Sequence, residues 1–323
     1  MSSGNGAMAI HLATHSGWYR FEKQGEKWAP VARALTYWSL TCLAVDPEDP
    51  RVVYAGTERS GLFVSRDGGA NWKRAEPNVP RLMISSLLAL PGSVLVGTVP
   101  AALYRSSPGG WEELEDLRRG SSGGTFPPSP DLGARTRYLA ADPEVPKRLY
   151  AGIEVGGLLM SDDGGGCWRP ANEGLSDPDV HQLLPSKRTP ELVVAACGEG
   201  VFRSLDRAAH WEQITPSGPR TYGMSVAEDS DGKVYLGIAY GRPNSWLRAD
   251  RANAAVFYSD DRGAYWKQVT EGLKGGVMDL CPAPDGEGIL AVTSEGDLLA
   301  INRSQHRLLA SGLPCISAVA VGA

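Results

Sequence analysis

No stretch of this 323-residue chain approaches the ~18 consecutive apolar residues that a membrane-spanning helix needs. No basic stripe stands out either. Lys and Arg total 32 against 37 Asp and Glu, a net charge of −5, and they are scattered. A nucleic-acid partner and a membrane partner are therefore not expected. Residues 1–7 lack the basic, apolar and cleavage regions of a signal peptide. They read as a disordered leader, with Met8 as an alternative start. No CxxC occurs, and the five cysteines, at 42, 167, 197, 281 and 315, are odd in number. That usage fits a reduced, cytoplasmic protein in which each thiol acts as a small buried apolar group. There is no Gly-rich phosphate loop, GxSxG elbow or HExxH pair, so no cofactor and no metal site are expected.

What the chain does have is turn chemistry. Gly (39) and Pro (23) make up nearly one residue in five, while 42% of residues are apolar. Many short strands around a large core fit this better than helices do. Four segments repeat one pattern, S-x-D-x-G-x-x-W: Ser65 to Trp72, Ser161 to Trp168, Ser204 to Trp211 and Ser259 to Trp266. The third carries Ala208 where the others have glycine. Weaker copies end at Trp28 and Trp111. Ser and Asp side chains bond the backbone of a tight turn, Gly takes a positive φ, and Trp buries a large ring. Such acids read as structural rather than catalytic.

A second phrase precedes these turns. Val45-Asp-Pro-Glu-Asp-Pro to Thr57 matches Ala141-Asp-Pro-Glu-Val-Pro to Ile153, with weaker copies at 185–197, 228–238 and 283–293. Each repeat reads as four short antiparallel strands, a propeller blade. The six tryptophans stand 44, 39, 57, 43 and 55 residues apart. The short gaps match a blade of ~40–45 residues, and the long ones locate insertions at Leu114 to Arg135 and Tyr240 to Asn253. The opening strand, Ala9 to His15, resembles the second strand of a blade, and Cys315 to Val321 an innermost one. The expectation is an all-β, seven-bladed β-propeller, one domain over residues 1–323, whose C-terminal strand completes the first blade. Inner strands are expected to start near 315, 40, 84, 136, 180, 221 and 277.

The S-x-D-x-G-x-x-W boxes and the Asp-Pro phrases resemble the BNR/Asp-box repeat proteins. That group includes sialidases, xyloglucan-type glycoside hydrolases, sortilin-type receptors and photosystem-assembly factors. The opening Ala9-Ile-His-Leu-Ala-Thr-His-Ser-Gly-Trp-Tyr19 is most similar to small cytoplasmic bacterial BNR-repeat, glycosyl-hydrolase-like proteins. The resemblance implies the fold, and a fold does not fix a function. A sialidase site is not implied, because the Arg-Ile-Pro-type motif is missing and Pro80-Arg81-Leu-Met does not replace it.

In a propeller the box turns crowd one rim, and ligands sit on the opposite, upper face over the channel. The loops there carry His15, Glu58, Arg59, Val99, Glu154, Glu199, Tyr240, Arg242 and Glu295. Aligning inner strands on the Leu-x-x-Asp-Pro phrase places Thr41, Ser85, Arg137, His181, Tyr222, Met278 and Ser317 at equivalent points. Two residues earlier stand Ser39, Met83, Arg135, Asp179, Arg220 and Gly276. Blades four to six thus gather Arg135, Arg137, Asp179, His181, Arg220 and Tyr222 on one side of the mouth. One reading is an interblade salt-bridge network. The other is a site for an anionic or polyhydroxyl ligand.

Two functions follow. The first is a binding scaffold for a small-molecule, carbohydrate or peptide ligand at the upper face; exposed Trp38, Trp246 or Phe126 would favour a broad protein partner. The alternative is a hydrolase or lyase on a carbohydrate-like or anionic small molecule. Glu154, Glu199 and His181 are its candidate acid and base groups. No catalytic constellation is specific enough to displace the scaffold reading.

Overall fold

The computed structural model describes residues 8–117, 134–246 and 252–322. The expected leader, residues 1–7, and Phe126 lie outside them, as do Arg248, Asp250 and Arg251 of the second insertion.

Seven four-stranded antiparallel sheets form a ring. Blade one pairs β28 (Ile316–Gly322), innermost, with β1 (Ala9–Thr14), β2 (Gly17–Gln24) and β3 (Lys27–Ala34). Blades two to seven follow in chain order. Their inner strands are β4 (Leu40–Val45), β8 (Ile84–Leu90), β12 (Arg135–Ala141), β16 (Val180–Pro185), β20 (Tyr222–Glu228) and β24 (Val277–Pro282). Every expected inner strand is present within a residue or so of its expected start. The core comprises seven apolar layers, each shared by two neighbouring blades. Tyr150 and Phe202 lie between blades four and five, and Leu290 and Ile10 between seven and one. No blade can bury both faces alone, so burial itself drives ring closure.

The repeated turns use the chemistry their sequence suggests. In each, the serine hydroxyl donates to the aspartate two residues on, at 2.7–2.8 Å. The backbone N–H four residues on donates to that serine oxygen. The backbone there turns left-handed, at φ 93° for Gly69 and 70° for Ala208. Trp211 and Trp266 then donate to backbone carbonyls of the preceding blade, at Ala171 and Ile214. Arginines unforeseen from the sequence clamp the same rim. Arg20 donates to Gly68 O at 2.7 Å, Arg203 to Arg262 O at 2.9 Å, and Arg105 to Gly164 O, each across a blade boundary. Asp46, Asp142 and Ser186 cap the turn after each inner strand by accepting backbone N–H groups two and three residues on.

One irregularity recurs in all seven blades. The inner strand carries a single-residue β-bulge against its partner. The extra residues are Ser317, Thr41, Ser85, Arg137, His181, Met224 and Met278. A bulge re-aims its side chain and frees a carbonyl from the ladder. At four junctions the bulged side chain bonds the freed carbonyl of the next blade: Ser317 to Leu40 O, Thr41 to Ile84 O, Ser85 to Thr136 O, and His181 to Gly223 O.

This register corrects the sequence alignment in blade six. Met224, not Tyr222, is the bulged residue there, and Tyr222, not Arg220, is the counterpart of Arg135 and Asp179. The turn in that blade is Val226-Ala-Glu-Asp229 with no proline after it, so the phrase used for alignment is absent. Asp229 nevertheless caps the turn through the N–H groups of Asp231 and Lys233.

Candidate functional site

The inner strands enclose a central channel of about 1350 Å³, lined at its upper end by His15, Ser39, Thr41, Glu58, Arg135, Arg137 and His181. The bulges decide which groups reach it. Where the bulged residue is Ser, Thr or His, its polar atom is used in ring closure. Arg137 is different. Among the described residues it donates no hydrogen bond, and its Nε stands 3.9 Å from Glu154 Oε2. Arg135 Nε holds the same carboxylate oxygen at 3.0 Å. One carboxylate thus faces two guanidiniums.

His181 is 5% exposed. Its Nδ1 lies 2.6 Å from Gly223 O, a group that can only accept, so Nδ1 carries the proton. Its Nε2 lies 3.1 Å from the Tyr222 hydroxyl and 3.4 Å from Asp179 Oδ1. Burial alone would raise Asp179. Contact with the His181 ring and the charges of Arg242 and Arg137 instead hold it below the usual carboxylate range. Asp177, missed by sequence reasoning, positions this loop by accepting from the N–H groups of Asp179 and Glu199. Burial pushes the Asp177 carboxyl up.

The other candidates scatter. Glu199 and Arg242 are exposed and 3.9 Å apart. Arg220 turns outward and donates to Asn253 O and Asn253 Oδ1. Glu58 meets Arg59 at 3.8 Å on the surface. Tyr240 and Glu295 are exposed, and only His15 and Glu58 of the remaining candidates line the channel. Trp38 packs on Phe63, and Trp246 stands edge-on to Tyr222 and covers Gly276, so neither is an open docking surface.

Sequence reasoning also missed a polar chord within the channel. Gln182, beside His181, donates to Tyr138 OH at 3.3 Å and to Asp279 Oδ1 at 3.0 Å, while its Oε1 accepts from Val226 N. Asp279 also accepts from Leu280 N and, through Oδ2, from Val319 N, both at 2.9 Å. The chord links blades four, five, six, seven and one. Asp279 is partly exposed to the channel, yet protein surrounds the carboxyl and desolvation pushes it up to about 6. Three N–H donors and the charge of Arg137 oppose that rise. An acid inside an otherwise apolar inner strand, Val277-Met-Asp-Leu-Cys, was the available signal. Among the described residues no His, Cys, Asp and Glu side chains cluster as a metal site.

No protein-family model matches the chain. It is similar to a probable oligoxyloglucan-reducing end-specific xyloglucanase of Neosartorya fischeri, 24% identical over 78% of this chain, and spans 37% of that relative's length. Its fold resembles a putative 6-phosphogluconolactonase from Bacteroides fragilis, with a TM-score of 0.68, 11% identity and full coverage of both chains. It also resembles YCF48 bound to D1 peptide, with a TM-score of 0.57 and 15% identity over 95% of this chain and 87% of the other. At these identities the likeness to the solved structures is one of architecture, and by that architecture the chain is a seven-bladed β-propeller.

Proposed function

We propose that this chain is a single-domain Asp-box repeat propeller acting as a non-catalytic binding scaffold. It takes a ligand with an anionic group at the upper channel mouth, beside blades four to six. One observation carries the reading: Arg137 points into a protein-walled channel and its guanidinium donates no hydrogen bond to a described residue. A guanidinium offers a planar fork suited to carboxylate or phosphate, and the channel walls strengthen that attraction over its value in water. Arg135, Glu154 and the Asp179–His181–Tyr222 group would frame the bound anion. Five free cysteines agree with a reducing, cytoplasmic setting.

The hydrolase alternative draws on the xyloglucanase likeness and on Glu154 and Glu199. A general acid needs a carboxyl that stays protonated, and a general base needs one free to reach its proton. Glu154 is instead bound by Arg135 and near Arg137, and both His181 nitrogens face partners. The scaffold reading needs no such free group.

The test is calorimetric titration of butyrate, a minimal carboxylate, and inorganic phosphate into wild type and Arg137→Met. Binding by wild type that falls about tenfold or more in the variant, with unchanged melting, supports the reading. Equal binding by both proteins removes it.

A further inference from the structure

The channel that exposes Arg137 also exposes Asp279, deeper and three blades further round the ring. The two attract each other through space but form no ion pair. Arg137's nearest acid is Glu154, at 3.9 Å, and among the described residues no basic side chain forms an ion pair with Asp279. Its partners are one side-chain amide and two backbone N–H groups. Those donors fix the carboxylate's position and favour its ionised form without supplying a countercharge. Gln182 and Tyr138 span the gap, so Tyr138, next to Arg137 in the chain, is two hydrogen bonds from Asp279. The channel therefore holds a fixed positive group and a fixed negative group, each able to accept a partner of opposite sign.

We propose that the channel selects a zwitterion, a small ligand whose carboxylate meets Arg137 and whose ammonium meets Asp279. This rests on the anion-binding reading and adds the second half of the recognition. Either charge alone would leave its opposite unpaired in a protein-walled cavity. A ligand carrying both compensates both, which is where selectivity arises. Met83, Met224 and Met278 near the mouth offer no competing polar contacts and suit a short alkyl spacer.

The experiment titrates butyrate, butylamine, γ-aminobutyrate, δ-aminovalerate and ε-aminocaproate into wild type, Arg137→Met and Asp279→Asn near neutral pH. One amino acid of the series is expected to bind wild type at least about tenfold more tightly than butyrate. Asp279→Asn should bring that amino acid back to the level of butyrate, and Arg137→Met should lose both. A wild-type preference that survives Asp279→Asn overturns the proposal, as does the absence of any preference for an amino group. Loss of butyrate binding by wild type itself would instead sink the anion-binding reading, and the zwitterion with it.

A second readout needs no variant. The groups facing Asp279 are Arg137, Tyr138, Gln182 and His181, with Cys42 and Cys281 beside it. The two thiols and Tyr138 are pushed to high pKa and do not titrate near neutrality. His181 lies at the mouth, beside the carboxylate end. The amino preference should therefore fade as pH falls through about 6, while butyrate binding persists. A preference constant from pH ~7.5 to ~5 overturns the assignment of Asp279.

Discussion

The Nδ1 of His181 lies 2.6 Å from the carbonyl oxygen of Gly223, in the neighbouring blade. That contact makes His181 a member of the ring-closing series that includes Ser317, Thr41 and Ser85. Its work is to satisfy a backbone carbonyl that the bulge has removed from the ladder. Replacing it by leucine leaves that carbonyl and the Tyr222 hydroxyl without this partner. Chemical denaturation of His181→Leu should show a loss of ~1–3 kcal/mol. An unaltered denaturation midpoint would mean the contact is dispensable.

The same logic applies more gently at Thr41, whose hydroxyl donates to Ile84 O at 2.6 Å. Valine keeps the shape and removes the donor. Thr41→Val should cost ~1 kcal/mol, read from the same curves. Arg137→Met, at the equivalent bulge of blade four, removes no hydrogen bond to a described residue and should leave the midpoint nearly unchanged. A large loss in Arg137→Met would show that Arg137 is part of the scaffold rather than held for a ligand.

Gly69 offers a test of the repeated turns. It adopts φ 93°, and a Cβ there would lie 2.0 Å from the Trp18 ring, which packs into the core between blades one and two. Neither the turn nor the ring can move without opening that layer. Gly69→Ala is expected to destabilise by about 3 kcal/mol, combining a left-handed backbone with overpacking. Gly25, at φ 62° with open space around it, is the control, and Gly25→Ala should cost only ~1 kcal/mol. Equal losses at the two positions would show that the Trp18 contact contributes nothing.

How much of this was legible in the sequence depends on how local each cause is. The box turns and the inner-strand starts could be read because Ser65, Asp67 and Gly69 act within five residues of one another. Strand order followed from repetition, and the return of Ile316–Gly322 to blade one followed from the odd first strand. Blade six was misaligned because its turn is capped by Asp229 without the proline that follows Asp46 and Asp142. Arg20, Arg105 and Arg203 were unread because their acceptors are carbonyls, which have no sequence signature. The Gln182–Asp279 chord was invisible because its partners lie 97 residues apart and two blades from each other. The mouth cluster was legible only in part. Arg135, Arg137, Asp179, His181 and Tyr222 do gather, while Arg220 points away because it stands outside the strand register.

Two buried groups make opposite demands on stability over one pH range. Asp279 is raised from 3.8 to about 6, chiefly by burial, so the folded protein binds the extra proton between those values. Its contribution to stability is present below pH ~4 and is lost as pH rises to ~6. His11, fully buried against Trp18 and paired in the ladder between Arg20 and the closing strand, is lowered from 6.5 to about 4 by burial and then by the charge of Arg20. There the unfolded chain binds the extra proton, so stability is lost as pH falls from ~6.5 to ~4. Each shift is worth up to ~3 kcal/mol by linkage, and the two partly cancel in the wild type. Asp279→Asn should therefore expose a steeper acid loss than wild type between pH ~6.5 and ~4. His11→Leu should show the reverse, gaining stability relative to wild type as the solution is acidified. Denaturant midpoints for the three proteins at half-unit pH steps would read this directly, and parallel profiles across the window would refute both assignments.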